Sequence, residues 1–77
     1  MPPIKVTVKL FASLQAGRFK IQDLVFEAGT TVAELIASLD IPEKEVSLIM
    51  INGRHKGLDH RLAEAETCAL FPPVGGG

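Results

Sequence analysis

Gly29-Thr30-Thr31-Val32-Ala33-Glu34-Leu35-Ile36-Ala37-Ser38-Leu39-Asp40-Ile41-Pro42 is the stretch whose reading decides the fold. Thr31 and Glu34 stand three residues apart, the spacing at which a hydroxyl and a carboxylate satisfy the free amides of a helix start reciprocally. Val32, Leu35, Ile36 and Leu39 then fall at i, i+3, i+4 and i+7, which puts them on one stripe of a helix. The residue before Pro42 is biased away from helical geometry, so the helix ends near Asp40. It is the one long helical pattern in the chain, and its apolar stripe must be covered by whatever flanks it.

The flanking segments have the period of strands. Ile4, Val6, Val8 and Leu10 alternate with Lys5, Thr7 and Lys9, giving one buried and one wet face. A loop from Phe11 to Arg18 closes a hairpin onto a second strand. There Phe19, Ile21, Leu24 and Phe26 do not share one parity, so the strand carries a bulge or, as favoured here, begins after Gln22 with Leu24 and Phe26 facing in. Beyond the helix, Glu43-Lys44-Glu45 is a charged connection. Val46 to Ile51 is apolar on both parities, which suits a strand that is central or covered twice. Asn52-Gly53 marks a turn, a brief edge strand follows around His55 to Leu58, and Leu58 and Leu62 anchor the irregular segment up to Glu66. Thr67 to Phe71 is the last strand; with Leu70 in the core, Phe71 faces out. The order predicts an α+β domain, a mixed sheet of four to five strands with one main helix across one face.

Seventy-seven residues make one small core, with 47% apolar residues and a mean hydropathy of +0.27. A deep enzyme cavity does not fit in a domain of this size. Eight basic and nine acidic residues leave a net charge of −1, so nucleic acid and anionic membrane are not expected partners. Arg54-His55-Lys56 is too short a basic run to change that. The amino-terminal residues hold no apolar run of signal-peptide length, and the single cysteine, Cys68, supplies neither a disulfide framework nor a thiolate zinc site; a cytoplasmic location is expected. His55, Asp59 and His60 lie in a turn-rich segment rather than on the stiff elements a zinc site wants, so no metal is expected. Cys68, without a neighbouring cation, reads as a buried apolar residue. Ser13 and Ser47 lack a base in any motif, and Gly53 and Gly57 lack the context of a phosphate loop.

The chain ends Phe71-Pro72-Pro73-Val74-Gly75-Gly76-Gly77. The two prolines withhold amide donors and stop the strand, while glycine lets the backbone be approached closely. Residues 1–72 therefore read as the folded domain and 73–77 as a flexible tail. The three glycines fit either a frayed end or remnant, or an arm that threads a narrow channel with the Gly77 carboxylate at its tip. Phe71, Pro72, Pro73 and Val74 form an apolar strip of the kind that marks a partner surface.

This pattern resembles the MoaD/ThiS family of ubiquitin-like β-grasp sulfur carriers over essentially the whole chain. The resemblance rests on Gly29-Thr30-Thr31-Val32-Ala33-Glu34-Leu35, on Met50-Ile51-Asn52-Gly53, on Asp59-His60-Arg61-Leu62, and most specifically on Leu70 to Gly77. The ending is most similar to that of the small subunit of molybdopterin synthase. Glu64-Ala65-Glu66 departs from the Asp-Gly-Asp common at that turn. The resemblance implies a carrier rather than an enzyme. Its Gly77 carboxylate would be adenylated by a ubiquitin-activating-type adenylyltransferase, then converted to a thiocarboxylate with sulfur from a system such as a cysteine desulfurase. It implies ATP at the activating enzyme and no cofactor on this chain, with a synthase large subunit as the further partner. Gly75 and Gly76 would give clearance, Pro72, Pro73 and Val74 would aim the arm, and Phe71 would dock. Thiamin-pathway carriers and prokaryotic ubiquitin-like modifiers, conjugated through Gly77, share the fold and terminus.

Overall fold

The computed structural model describes residues 2–73. Val74, Gly75, Gly76 and Gly77 lie outside the described residues, and with them most of the expected tail.

Strands β1 (Ile4–Leu10), β2 (Ile21–Phe26), β3 (Leu48–Ile51), β4 (Arg54–His55) and β5 (Thr67–Phe71) form one mixed sheet in the order β2-β1-β5-β3-β4. Helix α1 (Val32–Ser38) packs its stripe on one face, with Val32, Leu35 and Ile36 fully buried. Each such side chain contributes about 1.5–3 kcal/mol of transfer free energy. They meet Val6, Val8, Leu10, Cys68 and Leu70 from the two central strands. Among the described residues the other face of the sheet carries no helix. This is the ubiquitin-like β-grasp arrangement.

Both ends of α1 are closed by groups the local sequence supplies. Thr31 Oγ1 accepts from the Glu34 amide at 3.2 Å, and Glu34 Oε1 accepts from the Thr31 amide at 2.9 Å. The next free amides, of Val32 and Ala33, donate to the carbonyls of His60 and Leu58, each at 3.0 Å. That contact docks the irregular segment before β5 onto the helix start. At the other end Asp40 takes a left-handed conformation (φ 58°). The Asp40 and Ile41 amides donate back to Ala37 and Ile36, a Schellman closure with buried Ile41 against Ile36. The helix therefore stops at Ser38, just short of the expected Asp40.

Three strand expectations need correction. β2 starts at Ile21, not after Gln22, and has no bulge: pairing with β1 runs unbroken from Lys9↔Ile21 to Ile4↔Phe26. The parity conflict disappears because Ile21 faces outward with Val25, at 55% and 66% exposure, while Phe19 reaches the core from the loop before the strand. β3 begins at Leu48, not Val46. It is flanked by β5 and β4 but covered on one face only, so its second apolar parity, Leu48 and Met50, lies on the open face. The edge strand is shorter and earlier than expected, Arg54–His55, because Asn52 and Gly53 both take positive φ (51° and 80°) in a two-residue turn that pairs Ile51 directly with Arg54.

The departing turn is held by its own side chains. Ala65 sits at φ 69° in the left-handed region. Glu66 Oε1 accepts from the Ala63 amide at 2.8 Å, and Glu64 Oε1 accepts from the Lys5 amide at 2.9 Å.

Candidate functional site

β5 is the strand that delivers the carboxy-terminal segment, and its neighbours fix where that segment leaves the domain. It pairs in parallel with β1 (Thr7↔Thr67 to Leu10↔Leu70) and antiparallel with β3 (Leu48↔Phe71 to Ile51↔Cys68). Alternation buries Cys68 and Leu70 against the helix and turns Thr67, Ala69 and Phe71 to the open face. The last backbone ties are Phe11 N–H to the Leu70 carbonyl at 3.2 Å and Ser47 N–H to the Phe71 carbonyl at 2.8 Å. Beyond them Pro72 is half-buried and Pro73 exposed.

Phe71 is half-buried rather than fully exposed. Its ring stacks on Phe11 with centroids 4.3 Å apart and planes 12° apart. Leu48, 37% exposed, is its register partner on β3, and Met50 lies opposite Ala69. Phe11, Phe71 and Leu48 thus make an apolar platform where the chain exits. Of these residues, sequence reasoning singled out only Phe71. The signal for Phe11 was present: it is the first apolar residue on the parity that Lys5, Thr7 and Lys9 keep polar.

Behind the platform, Arg18 joins the loop after β1 to the end of α1. Its Nε donates to the Leu39 carbonyl at 3.1 Å and Nη2 to the Asp40 carbonyl at 3.0 Å. Nη1 donates to the carbonyls of Leu14 at 3.2 Å and Ala16 at 3.5 Å. A guanidinium at a helix carboxy terminus also complements the helix dipole. No sequence pattern announced it, because the partners lie at the end of a separate element.

The other sequence candidates scatter. His60 Nε2 lies 3.1 Å from Glu66 Oε1, inside the segment docked on the helix, whereas His55 is exposed on β4 and Asp59 is exposed. Among the described residues no group of three His, Cys, Asp or Glu could hold a metal ion. Cys68 is fully buried on the helix side of β5. Burial, and secondarily the Glu66 charge, push its thiol up to about 12, so it is protonated and unreactive at neutral pH. No helix among the described residues is long and apolar enough to cross a membrane.

What the described chain offers is thus an apolar landing face beside an exit strand, with no cluster of acid, base and nucleophile. Solved structures share this fold. A protein described as molybdopterin converting factor, subunit 1, from Pyrococcus furiosus is 28% identical, with a TM-score of 0.73 over 92% of this chain and 99% of that one. Small archaeal modifier protein 1 from Methanosarcina acetivorans is 26% identical, with a TM-score of 0.71 and all of both chains covered. A chain from the complex of subunits 1 and 2 of the molybdopterin-converting factor of Helicobacter pylori is 27% identical, with a TM-score of 0.57 over 96% of this chain and all of that one. No curated protein matches by sequence. The ThiS family model matches residues 8–77. Because that match runs from β1 through the final glycines, the chain belongs to the ThiS family.

Proposed function

We propose that this chain is a sulfur carrier for molybdopterin synthesis, with the Gly77 carboxylate as its reactive group. A carboxylate is a poor acyl donor because oxide would have to leave. Attack of a Gly77 carboxylate oxygen on the α-phosphorus of ATP expels pyrophosphate and makes a mixed anhydride. The outer sulfur of a persulfide, on a donor such as a cysteine desulfurase, then attacks the acyl carbon and displaces AMP; a second thiol cleaves the acyl disulfide so formed, becoming a disulfide with the donor's remaining sulfur and leaving the thiocarboxylate. In the large subunit of a synthase the thiocarboxylate sulfur transfers to a pterin precursor, and water returns Gly77 to carboxylate. The chain supplies the reacting atom and its presentation. Phe71 and Phe11 dock, Pro72, Pro73 and Val74 aim the terminus, and Gly75 and Gly76 give clearance. The activating adenylyltransferase and the large subunit supply binding of ATP and pterin and all proton transfers, in the cytoplasm. No cofactor resides on this chain.

The observation that carries the proposal is the platform of Phe11, Phe71 and Leu48 at the exit of β5, together with a family match that includes the terminal glycines. The likeness to subunit 1 proteins of molybdopterin-converting factors favours this pathway. The likeness to small archaeal modifier proteins favours a second reading, conjugation of Gly77 to lysine. The resemblance to thiamin-pathway carriers leaves transfer of sulfur to a thiazole as a third.

Intact-mass measurement on the protein isolated from its own cells separates the first two. A carrier shows the replacement of one oxygen by sulfur at its terminus; a modifier shows conjugates of higher mass. In ATP–pyrophosphate exchange with the cognate activating enzyme, deletion of Gly77 or addition of one residue after it abolishes exchange. The shift is about 3.5 Å of extended chain, as large as the separation attack requires. Undiminished exchange by both variants refutes Gly77 as the reactive residue.

A further inference from the structure

Asn52 is the chain's single asparagine, and a glycine follows it. In that pair the next backbone nitrogen can attack the side-chain amide, because glycine puts no Cβ in its way.

The turn ties β3 to β5 through this one residue. The Asn52 backbone amide donates to the Thr67 carbonyl at 2.9 Å, and Asn52 Oδ1 accepts from the Thr67 amide at 2.9 Å. The side chain thus stands in for a backbone carbonyl and carries the ladder one residue past the Ile51↔Cys68 pair. Asn52 has φ 51°, in the left-handed region, where ψ is about +30 to +60°. That ψ turns the Gly53 nitrogen nearly opposite Cβ across the Cα–C bond. Closure of a five-membered ring needs the two on the same side. The folded turn therefore holds the nucleophile away from Cγ, while the Thr67 amide holds the side chain. Both turn residues are exposed, so water and base reach them as soon as the turn opens.

We infer that Asn52 is a latent deamidation site, guarded by the left-handed turn and the Thr67 clasp, whose isoaspartyl product unfastens β5. In the opened turn, base takes the Gly53 amide proton and the nitrogen pair attacks Asn52 Cγ. The Cγ–Nδ2 bond breaks, ammonia leaves with a proton from water, and a cyclic imide remains. Water opens the imide at either carbonyl, giving aspartate or isoaspartate with no change in oxidation state. Aspartate keeps a side-chain oxygen for the Thr67 amide. Isoaspartate routes the main chain through Cβ and Cγ, which adds one atom to the two-residue turn that pairs Ile51 with Arg54. The pairing and the clasp then no longer share one register. β5, which carries the terminus out of the domain, loses its first tie to β3. The reaction records how often the turn has opened, whatever chemistry Gly77 performs.

The test incubates the full chain in mildly alkaline buffer, folded or unfolded in urea, and follows by peptide mass the conversion of the Asn52 amide to an acid. Two hydrogen bonds, each shifting the opening equilibrium roughly fivefold, make the folded chain about 10- to 100-fold slower than the unfolded one. Asn52→Gln, whose longer side chain disfavours the ring, marks the background. The isoaspartyl form is separated from the aspartyl form by chromatography and melted beside the parent and Asn52→Asp. It is expected to melt lowest, with Asn52→Asp close to the parent. Equal rates in the folded and unfolded chain overturn the guard, and no conversion in urea overturns the site. An isoaspartyl form that melts with the parent overturns the unfastening of β5. So does an Asn52→Asp chain that melts as low as the isoaspartyl form, since charge rather than chain length then decides.

Discussion

Replacing Arg18 with alanine removes one guanidinium and leaves four carbonyls, on Leu14, Ala16, Leu39 and Asp40, without their donor. The 3.5 Å contact to Ala16 adds little, whereas the other three, at 3.0 to 3.2 Å, have good length. Hydrogen bonds to a charged donor contribute about 1.5–3 kcal/mol each, but the values do not add, because one side chain makes them all. Water can also reach the Asp40 carbonyl once the arginine is gone, whereas those of Leu14 and Leu39 are part-buried. The expected loss is about 2–3 kcal/mol, including a few tenths from the helix dipole. A domain of 77 residues has roughly 4–12 kcal/mol in total, so the melting temperature should fall by about 10–20 °C. Lysine brings the charge without the planar fork and recovers less than half of that loss. Urea titration of parent, Arg18→Ala and Arg18→Lys decides it. A loss below about 0.5 kcal/mol for alanine, or full rescue by lysine, would mean the carbonyls need only water or only a charge.

Leu35→Ala, at a fully buried position, should cost about 2–5 kcal/mol in the same titration; a cost under about 1 kcal/mol is incompatible with its place beneath the sheet. Ala65→Gly relieves a left-handed alanine at φ 69°. Strain of about 1–2 kcal/mol is partly offset by the entropy of glycine in the unfolded chain, for a net gain near 0.5 kcal/mol, and a lowered urea midpoint contradicts it. Cys68 has its thiol raised from 9.0 to about 12 by burial, so the unfolded chain loses that proton first. Its contribution is fully present below pH 9.0 and is lost as pH rises toward 12, at up to about 1.4 kcal/mol per pH unit. Parent and Cys68→Ala stability curves should therefore converge on the alkaline side, and parallel curves refute the shift. Phe71→Ala removes the stack on Phe11, costing about 1–2 kcal/mol in stability and about 2 kcal/mol or more in binding to a partner that uses the platform. Isothermal titration that shows unchanged binding removes Phe71 from the interface.

The features legible in the sequence are those decided by neighbours along the chain. The Thr31 and Glu34 cap, the Val32-Leu35-Ile36 stripe, the alternation of β1 and the Asn52-Gly53 turn each rest on residues within one or two turns of backbone, and each stands in the structure. The phase of β2 was misread because apolar Ile21 was assumed to be buried, yet a sheet with one bare face leaves such residues in water. Leu48 and Met50 bear on the same assumption: apolar residues on both parities belong here to a strand flanked on both sides whose second face is open, not to one with a second covering layer. Phe11 and Arg18 needed the tertiary fold to acquire meaning, since their partners are Phe71 and the end of α1. For the candidate site, residue types at the exit were readable, but the platform they share exists only after β1, β3 and β5 are side by side.

The pairing of β5 between β1 and β3 also fixes when, during synthesis, the platform can exist. A nascent chain made as far as Glu66 contains the β1–β2 and β3–β4 hairpins with no strand to join them, because the joining strand is the last one. Such long-range closure is late by nature, since the loop entropy is lost before the contacts return it. Phe11 therefore has no ring to stack on until residue 71 has left the ribosome and entered the sheet. A partner that required the stacked pair would therefore engage finished domains and pass over nascent or damaged ones.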